Sequence, residues 1–288
     1  MIDLHVHSRC SDGSLTIEEL TAEAKNRNLE LMSITDHDSV RCQENAQNSA
    51  NKNGIKYITG VELNITFLPP DIHGRNAAPL DFLGYQFDIE DKRLRQKIQE
   101  VSEHRRNRAM KIMSNINSEL RKAGKNELTK NDSERLLNSV EGVLGRPHIA
   151  DYLVKRRIVK TKQEAFGKYL VKCDVPKYPF YAEQASKLVR NAGGIVILAH
   201  PNDPHGTSLI KLTKSLIKQT EIIKESLLDH IDGVECWHSR SDPYTTSHYL
   251  EFAKRHNLIM TGGSDCHQRP ILMGTVDIPE WIIKQFNV

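Results

Sequence analysis

"MIDLHVHSRCSDGSLTIEELTAEAKNRNLELMSITDHDS" (residues 1–39) holds two short apolar runs, "MIDLHVH" and "LELMSIT", on either side of the amphipathic stretch "TIEELTAEAKNRN". That order predicts strand, helix, strand, the unit from which parallel sheets and barrels are built. Thr16 followed by Glu19 has the spacing of a capping box and marks where the helix begins. Both apolar runs end in polar, chemically able groups: His5 and His7 on the first, Asp36, His37 and Asp38 on the second. Along a strand, positions i and i+2 face the same side, so His5 and His7 can meet one ion.

The same rhythm continues outward. "QENAQNSANKNG" predicts a helix stopped at Gly54, and "IKYITGVEL" a strand. Later come "SKLVRNAGG" as helix, "IVILAHP" as strand and a long helix near "TSLIKLTKSLIKQTEIIKESL". "IDGVECW" as strand, "YTTSHYLEFAKRHN" as helix and "LIMTGGSD" as strand complete the series. Between the two blocks, residues 91–176 are highly charged, with Leu94, Ile98, Val101, Ile112, Ile116 and Leu120 at helical spacing. The expected organisation is therefore one βα domain from residues 1–90 and 177–288, with an inserted helical cap at 91–176. "FLPPDIHGRNAAP" carries three prolines and a glycine and predicts a loop between two strands.

Composition narrows the function classes. The 288 residues carry 40 Lys and Arg against 37 Asp and Glu, a net charge of +3 that requires neither a nucleic-acid nor a membrane partner. No stretch approaches the roughly 20 apolar residues of a membrane span, and the N-terminus lacks a secretory pattern. A cytoplasmic protein is expected, with no obligate protein partner evident. The five cysteines, Cys10, Cys42, Cys173, Cys236 and Cys266, are odd in number and form no CxxC pair, which suits reduced thiols.

Polar groups recur at the ends of nearly all the apolar runs. Glu62 ends the third, Asp81 lies in "PLDFLGYQF", His200 ends "IVILAH", Glu235 and His238 follow in "DGVECWH", and Asp265 and His267 follow "LIMTGG". The carboxyl ends of strands in such folds share one rim, where residues distant in sequence converge. Clustered imidazoles and carboxylates are costly to bury without a counter-charge, so a metal site is the expected explanation. These donors favour Mn²⁺, Zn²⁺ or iron over a thiolate-bound ion. They outnumber what one ion needs, which suggests two or three ions sharing a carboxylate.

Taken in order, His5-Val6-His7, "ITDHDS", "GVEL", "LAHP" and "GSDCH" resemble the motifs of the PHP (polymerase and histidinol phosphatase) phosphoesterases across nearly the whole chain. The resemblance implies an α/β fold, a distorted seven-stranded (β/α) barrel with a trinuclear centre. It implies His5, His7, Glu62 and Asp265 on one ion, and Asp12, His37 and His267 on another. Glu62 would bridge to a third, held also by His200 and the residue before "FLGY". Relatives carry histidine at that last position where this chain has Asp81, so either Asp81 or His73 from the preceding loop completes the set. "GRPHIADYLV" and "EAFGKYL" resemble a subgroup that includes nucleoside 3′,5′-bisphosphate phosphatases and 5′-to-3′ exoribonucleases. In that subgroup the cap would cover the site and direct Arg146 and His148 at a phosphate.

Plainer roles stand beside these. Asp12 in "SDGS" has the pattern of a turn residue, and Asp38 of one that orients His37. His238 and Arg240 either touch substrate phosphate or line the rim, and His104, His230, His248 and His256 read as surface residues. "EHRRNR" (103–108) is a solvated helix face unless the substrate is a polyanion. Tyr169, Tyr178, Phe180 and Tyr181 suit core packing ahead of base stacking.

The expected activity is metal-dependent hydrolysis of phosphate esters of nucleotides or short RNA 5′ ends by a metal-activated hydroxide. Arg146 and His148 would position the phosphate, and His200 or His238 would protonate the leaving group. The rivals are amidohydrolase-type C–N hydrolysis and a non-catalytic metal- or RNA-binding module.

Overall fold

The computed structural model describes residues 1–69, 77–140 and 142–287. Strand β1 (Ile2–Val6), helix α1 (Ile17–Asn26) and strand β2 (Leu31–Ile34) form the expected unit, and Thr16 and Glu19 close the capping box. Helix α2 (Gln43–Lys52) leads to β3 (Lys56–Tyr57), and these strands make a parallel sheet in the order β1-β2-β3.

A second sheet holds β4 (Gly60–Phe67), β5 (Ala78–Tyr85), β6 (Ile195–Leu198), β7 (Gly233–His238) and β8 (Ile259–Gly263) in chain order. β5 runs antiparallel to both neighbours, whereas β6, β7 and β8 are parallel. The strands pair into one sheet of three and one of five, neither closed on itself, so the seven-stranded barrel of the sequence reading is not confirmed. They meet at isolated bridges, Val6 with Cys266 and His37 with Glu62.

One strand reading and one helix reading need correction. "IKYITGVEL" is not one strand ending at Glu62: it divides into β3 and β4, and Glu62 lies within β4. Gly60 starts β4 so close to β2 that a Cβ there would lie 2.1 Å from Ser33 Oγ, a constraint that pattern alone does not reveal. The long helix expected over 207–227 is a 3₁₀ turn at Leu209–Lys211 followed by α8 (Leu216–Ser226), because Ser215 caps the second piece through Lys218 N. Helices α7 (Ala182–Asn191) and α9 (Pro243–Arg255) lie as expected.

The middle block is helical: α3 (Lys92–Lys122), α4 (Lys130–Asn138), α5 (Arg146–Lys155) and α6 (Lys162–Ala165), with a π-helical turn at Phe166–Leu170. The start of α3 belongs to the main core, where Leu94, Ile98 and Val101 pack with strand residues such as Phe82 and Leu198. From Ala109 onward α3 joins a separate apolar cluster with Leu136, Ile149, Leu153 and Tyr169. Phe180 is buried in the main core, so it and Tyr169 pack rather than stack a base.

The cysteine reading also changes. Cys10 and Cys42 form a disulfide, with Cα atoms 6.4 Å apart, and Cys173, Cys236 and Cys266 remain buried thiols. The two partners are 32 residues apart in sequence but follow adjacent parallel strands, whose carboxyl-end turns lie side by side. No helix among the described residues is long and apolar enough to cross a membrane.

Candidate metal centre

Three sets of ligand atoms converge where β1, β2, β4, β5, β6 and β8 meet. The first is His5, His7, Glu62 and Asp265, all buried. His5 Nε2 and His7 Nε2 lie 3.1 Å apart, and Glu62 Oε2 is 3.4 Å from the one and 3.2 Å from the other. Asp265 Oδ1 completes this set at 3.5 and 3.3 Å from the same two nitrogens.

His7 also belongs to the second set, with Asp12, His37 and His267. Asp12 Oδ1 lies 3.4 Å from His267 Nε2 and 3.9 Å from His37 Nε2. Glu62, Asp81 and His200 form the third, with His200 Nε2 2.9 Å from Glu62 Oε1 and 3.8 Å from Asp81 Oδ2. Asp81 reaches the others from mid-strand because β5 is reversed, and Asn64 Nδ2, from the paired position on β4, donates to it at 2.6 Å. His73, the alternative ligand, lies outside the described residues.

The donor set fits divalent cations. Buried Asp12 Oδ1, His37 Nδ1 and Glu62 Oε2 have no hydrogen-bond partner. His37 Nδ1 and Glu62 Oε2 are 2.9 Å apart without hydrogen-bond alignment, as expected of atoms aimed at a third body.

The surroundings hold these ligands in place. Glu235 Oε1 lies 3.0 Å from His5 Nδ1 and its Oε2 accepts from His200 N at 2.7 Å, so one carboxylate orients two ligand histidines. Asp36 accepts from Ser8 N, Ser8 Oγ and Ser11 Oγ, which ties the turn carrying Asp12 to the end of β2. Asp38 accepts from Asn64 N and from Arg105. Asp38, His200 and Asp265 have φ of 46°, 24° and 53°, a left-handed backbone that persists where the surroundings fix it.

Asp203, His238 and Asp265 form a further cluster, but Arg240 occupies it. Its guanidinium clamps Asp203 at 2.9 and 2.8 Å and also reaches Asp265. His238 Nδ1 accepts from Arg240 N at 3.2 Å, and its Nε2 lies 3.5 Å from Asp265 Oδ2 without a hydrogen-bond partner. The structure thus places His238 beneath Asp265, away from the open cavity.

Electrostatics explain how so many charges coexist. Burial opposes the charged ring of His37, but Glu62 and Asp12 outweigh it and raise its pKa to about 9. His200 is likewise raised to about 9 against burial by Glu62 and Asp81, and His267 to about 10 by Asp265 and Asp12. Burial pushes Glu62 and Asp265 upward, yet the facing histidines hold both carboxyls well below the usual range. Asp81 goes the other way, raised by burial and by the charge of Glu62.

Without cations, protons on the rings balance the carboxylates at neutral pH. A ring nitrogen must be free of its proton to bind an ion, so loading expels those protons. Because the ring pKa values are raised, the protons are present at pH 7 and lost only above about 9. Mn²⁺ loading at pH 7 should therefore release more than one proton per protein, with affinity rising to about pH 9. Calorimetry in buffers of different ionisation enthalpy checks both; an affinity flat from pH 6 to 9 would contradict them.

A cavity of about 570 Å³ opens above these groups. Its floor carries Asp12, Glu62, Asp81 and Asp265, and Arg105, Arg108, Arg146 and Lys177 also line it. Arg108 and Arg146 share Asp174, the latter at 2.6 Å, and Lys177 Nζ donates to Asn64 Oδ1 at 2.8 Å. Burial, followed by the neighbouring Arg105 and Arg146, depresses Lys177 to about 8 although Asp81 pulls upward. Arg146 lines this cavity, and the "EHRRNR" segment contributes Arg105 and Arg108. His148 does not line this cavity: its Nδ1 accepts from Gly145 N at 3.0 Å at the start of α5. Lys177 and the orienting role of Glu235 were missed, since neither carries a local motif.

Comparison with known proteins agrees with this geometry. The PHP domain model matches residues 3–176. The chain is 27% identical over 272 residues to the 5′-3′ exoribonuclease Rnm of Salmonella typhimurium, covering 92% of this chain and 85% of that one. It is 29% identical over 274 residues to the 3′,5′-nucleoside bisphosphate phosphatase of Chromobacterium violaceum, covering 92% and 87%. The crystal structure of a Bifidobacterium adolescentis protein assigned as a metal-dependent phosphoesterase superposes with a TM-score of 0.79 at 25% identity, over 99% of this chain and 94% of that one. With a family match over more than half its length and the family's ligand types gathered at one point, the chain belongs to the PHP domain family.

Proposed function

We propose that this protein hydrolyses phosphate esters of nucleotides or of short RNA 5′ ends, using two or three divalent ions of which manganese suits the mixed imidazole and carboxylate donors. One observation carries the reading: three overlapping ligand sets open into a single cavity lined by four cationic side chains of the 91–176 block and its exit, Arg105, Arg108, Arg146 and Lys177. An anion with one end on the ions and the other among these cations fits that arrangement. The names of the relatives from Salmonella typhimurium and Chromobacterium violaceum point to the same two substrate classes.

His5, His7, Glu62 and Asp265 would hold one ion, Asp12, His37 and His267 a second, and Glu62, Asp81 and His200 a third. Bound there, such ions lower the pKa of water and neutralise charge on phosphoryl oxygens. Arg146 steers the phosphate, and its position over the Phe166 ring, 5.7 Å to the centroid, restrains the guanidinium. His200 lines the cavity, but as a ligand of the third ion its Nε2 would carry no proton to give, and His238 instead positions Asp265. His148 acts by fixing the start of α5, and hence Arg146 two residues before it. Arg240 neutralises Asp203 and Asp265 and holds the loop after β7.

The reading is tested by incubating Mn²⁺-loaded protein with adenosine 3′,5′-bisphosphate, a 5′-phosphorylated oligoribonucleotide and a dihydropyrimidine-type amide. Release of inorganic phosphate or mononucleotide is expected, and turnover of the amide alone would overturn the proposal. Arg146→Gln should raise KM for the phosphate substrate about tenfold or more, the worth of a charge-assisted hydrogen bond. Its metal content should match the parent's, because Arg146 touches no ligand; loss of metal would assign it a structural role instead.

A further inference from the structure

A second cavity, of about 810 Å³, lies on the cap and is used by none of the chemistry above. Helix α5 borders both cavities: Gly145, Arg146 and Pro147 line the first, whereas His148, Tyr152, Lys155 and Arg156 line the second. Arg135 of α4 and Val140 complete the part that matters. Val140 and the edge of buried Tyr152, whose hydroxyl donates to Asp132 Oδ1 at 2.7 Å, form its base, and Arg135, Lys155 and Arg156 are a cationic rim.

The charges do not cancel within the protein. Arg156 Nε lies 3.1 Å from Asp132 Oδ1, and Asp151, also on the cavity, is answered by Lys162 Nζ at 2.9 Å. Among the described residues Arg135 and Lys155 have no ion-pair partner. His148 adds no positive charge, because burial lowers its pKa. Two uncompensated cations, Lys155 at the far end of α5 from Arg146 and Arg135 on α4, have the chemistry that the backbone of single-stranded nucleic acid requires, ion pairing for its phosphates.

We infer that this second cavity holds the phosphodiester backbone of the RNA strand 3′ to the nucleotide being hydrolysed. The inference rests on the RNA-directed reading above and deepens it, since it makes the cap a gauge of strand length. A mononucleotide fills only the first cavity, whereas an oligonucleotide gains contacts in both.

The double variant Arg135→Gln/Lys155→Gln tests it. Both side chains are exposed, so the fold should be retained, and an unchanged melting temperature verifies this. Affinity is read by fluorescence anisotropy of a 5′-phosphorylated hexaribonucleotide in the Glu62→Gln background, where the RNA stays intact. Two phosphate contacts are worth about 10- to 30-fold in affinity near 0.1 M salt, and their loss flattens the slope of log affinity against log salt by about 1.4. The double variant should show both effects and should hydrolyse adenosine 3′,5′-bisphosphate, in the otherwise native chain, within about twofold of the parent.

Hexanucleotide affinity within twofold of the parent would overturn the inference. So would an equal loss on hexanucleotide and bisphosphate, or a parent protein that does not bind the hexanucleotide at all. If the parent binds RNA in this charge-dependent way but hydrolyses neither substrate, the hydrolytic reading fails while the binding site stands.

Discussion

Glu62→Gln should reduce hydrolysis by at least about 10³-fold, because this one carboxylate faces all three ligand sets. Its Oε2 lies 3.4, 3.2 and 2.9 Å from ring nitrogens of His5, His7 and His37, and its Oε1 lies 2.9 Å from His200 Nε2. The amide replaces one oxygen by an N–H donor and removes the negative charge, so a cation bridged at this position loses its shared ligand. Charge stabilisation by such ions is worth several kcal/mol, and about 4 kcal/mol corresponds to the factor expected.

The same change has a readout independent of turnover. Glu62 is the leading cause that lifts His37 and His200 above their ordinary pKa against burial, so in the variant both rings should fall back toward about 6.5. Fewer protons are then held at pH 7, and fewer are released on adding Mn²⁺. A variant that binds its full complement of metal and hydrolyses within tenfold of the parent would show that Glu62 is not shared.

The residues of this centre were legible in the sequence for a local reason: strand alternation pairs His5 with His7, and polar groups stand near the ends of apolar runs. The exceptions have physical causes. Glu62 and Asp81 are within strands rather than at their ends, because β4 begins early at Gly60 and β5 runs in reverse. Sequence spacing says nothing about strand direction, and a short antiparallel insertion has the same period as its parallel neighbours. Glu235 orients His5 across 230 residues, and Lys177 enters the cavity from the segment after the helical block, so each depends on tertiary placement alone. The Cys10–Cys42 disulfide was hidden similarly: counting thiols cannot show that two turns follow adjacent strands. His148 followed its motif into the right helix turn but faces the other cavity.

Gly263→Ala should destabilise the fold by about 3 kcal/mol and weaken metal binding together, although residue 263 is no ligand. β8 and β1 belong to different sheets and are joined by backbone hydrogen bonds, Asp265 N to His5 O at 2.8 Å and His7 N to Cys266 O at 3.0 Å. Buried Asp3 adds to this seam by accepting from Ser264 N at 2.9 Å. A Cβ on Gly263 would lie 2.3 Å from His5 Cβ and 2.5 Å from His5 N, so one strand must move away from the other. Overpacking of this kind costs about 1–3 kcal/mol, and here the obstacle includes backbone, which cannot rotate aside. For a chain of this size the loss corresponds to a fall in melting temperature on the order of 5–10 °C.

The seam divides the first ligand set, with His5 and His7 on one side and Asp265 on the other, so parting the strands also parts the ligands. The two substitutions therefore have opposite signatures in cation-free protein: Glu62→Gln removes a charge while leaving the seam closed, whereas Gly263→Ala opens it. Excess Mn²⁺ should recover part of the lost melting temperature of Gly263→Ala, since an ion bound only by the folded state draws the strands together by mass action. Unfolding curves within 1 kcal/mol of the parent, with metal affinity unchanged, would mean that the two sheets have slack where the ligands meet. In that case ion spacing would be set by the side chains themselves rather than by the contact of β1 with β8.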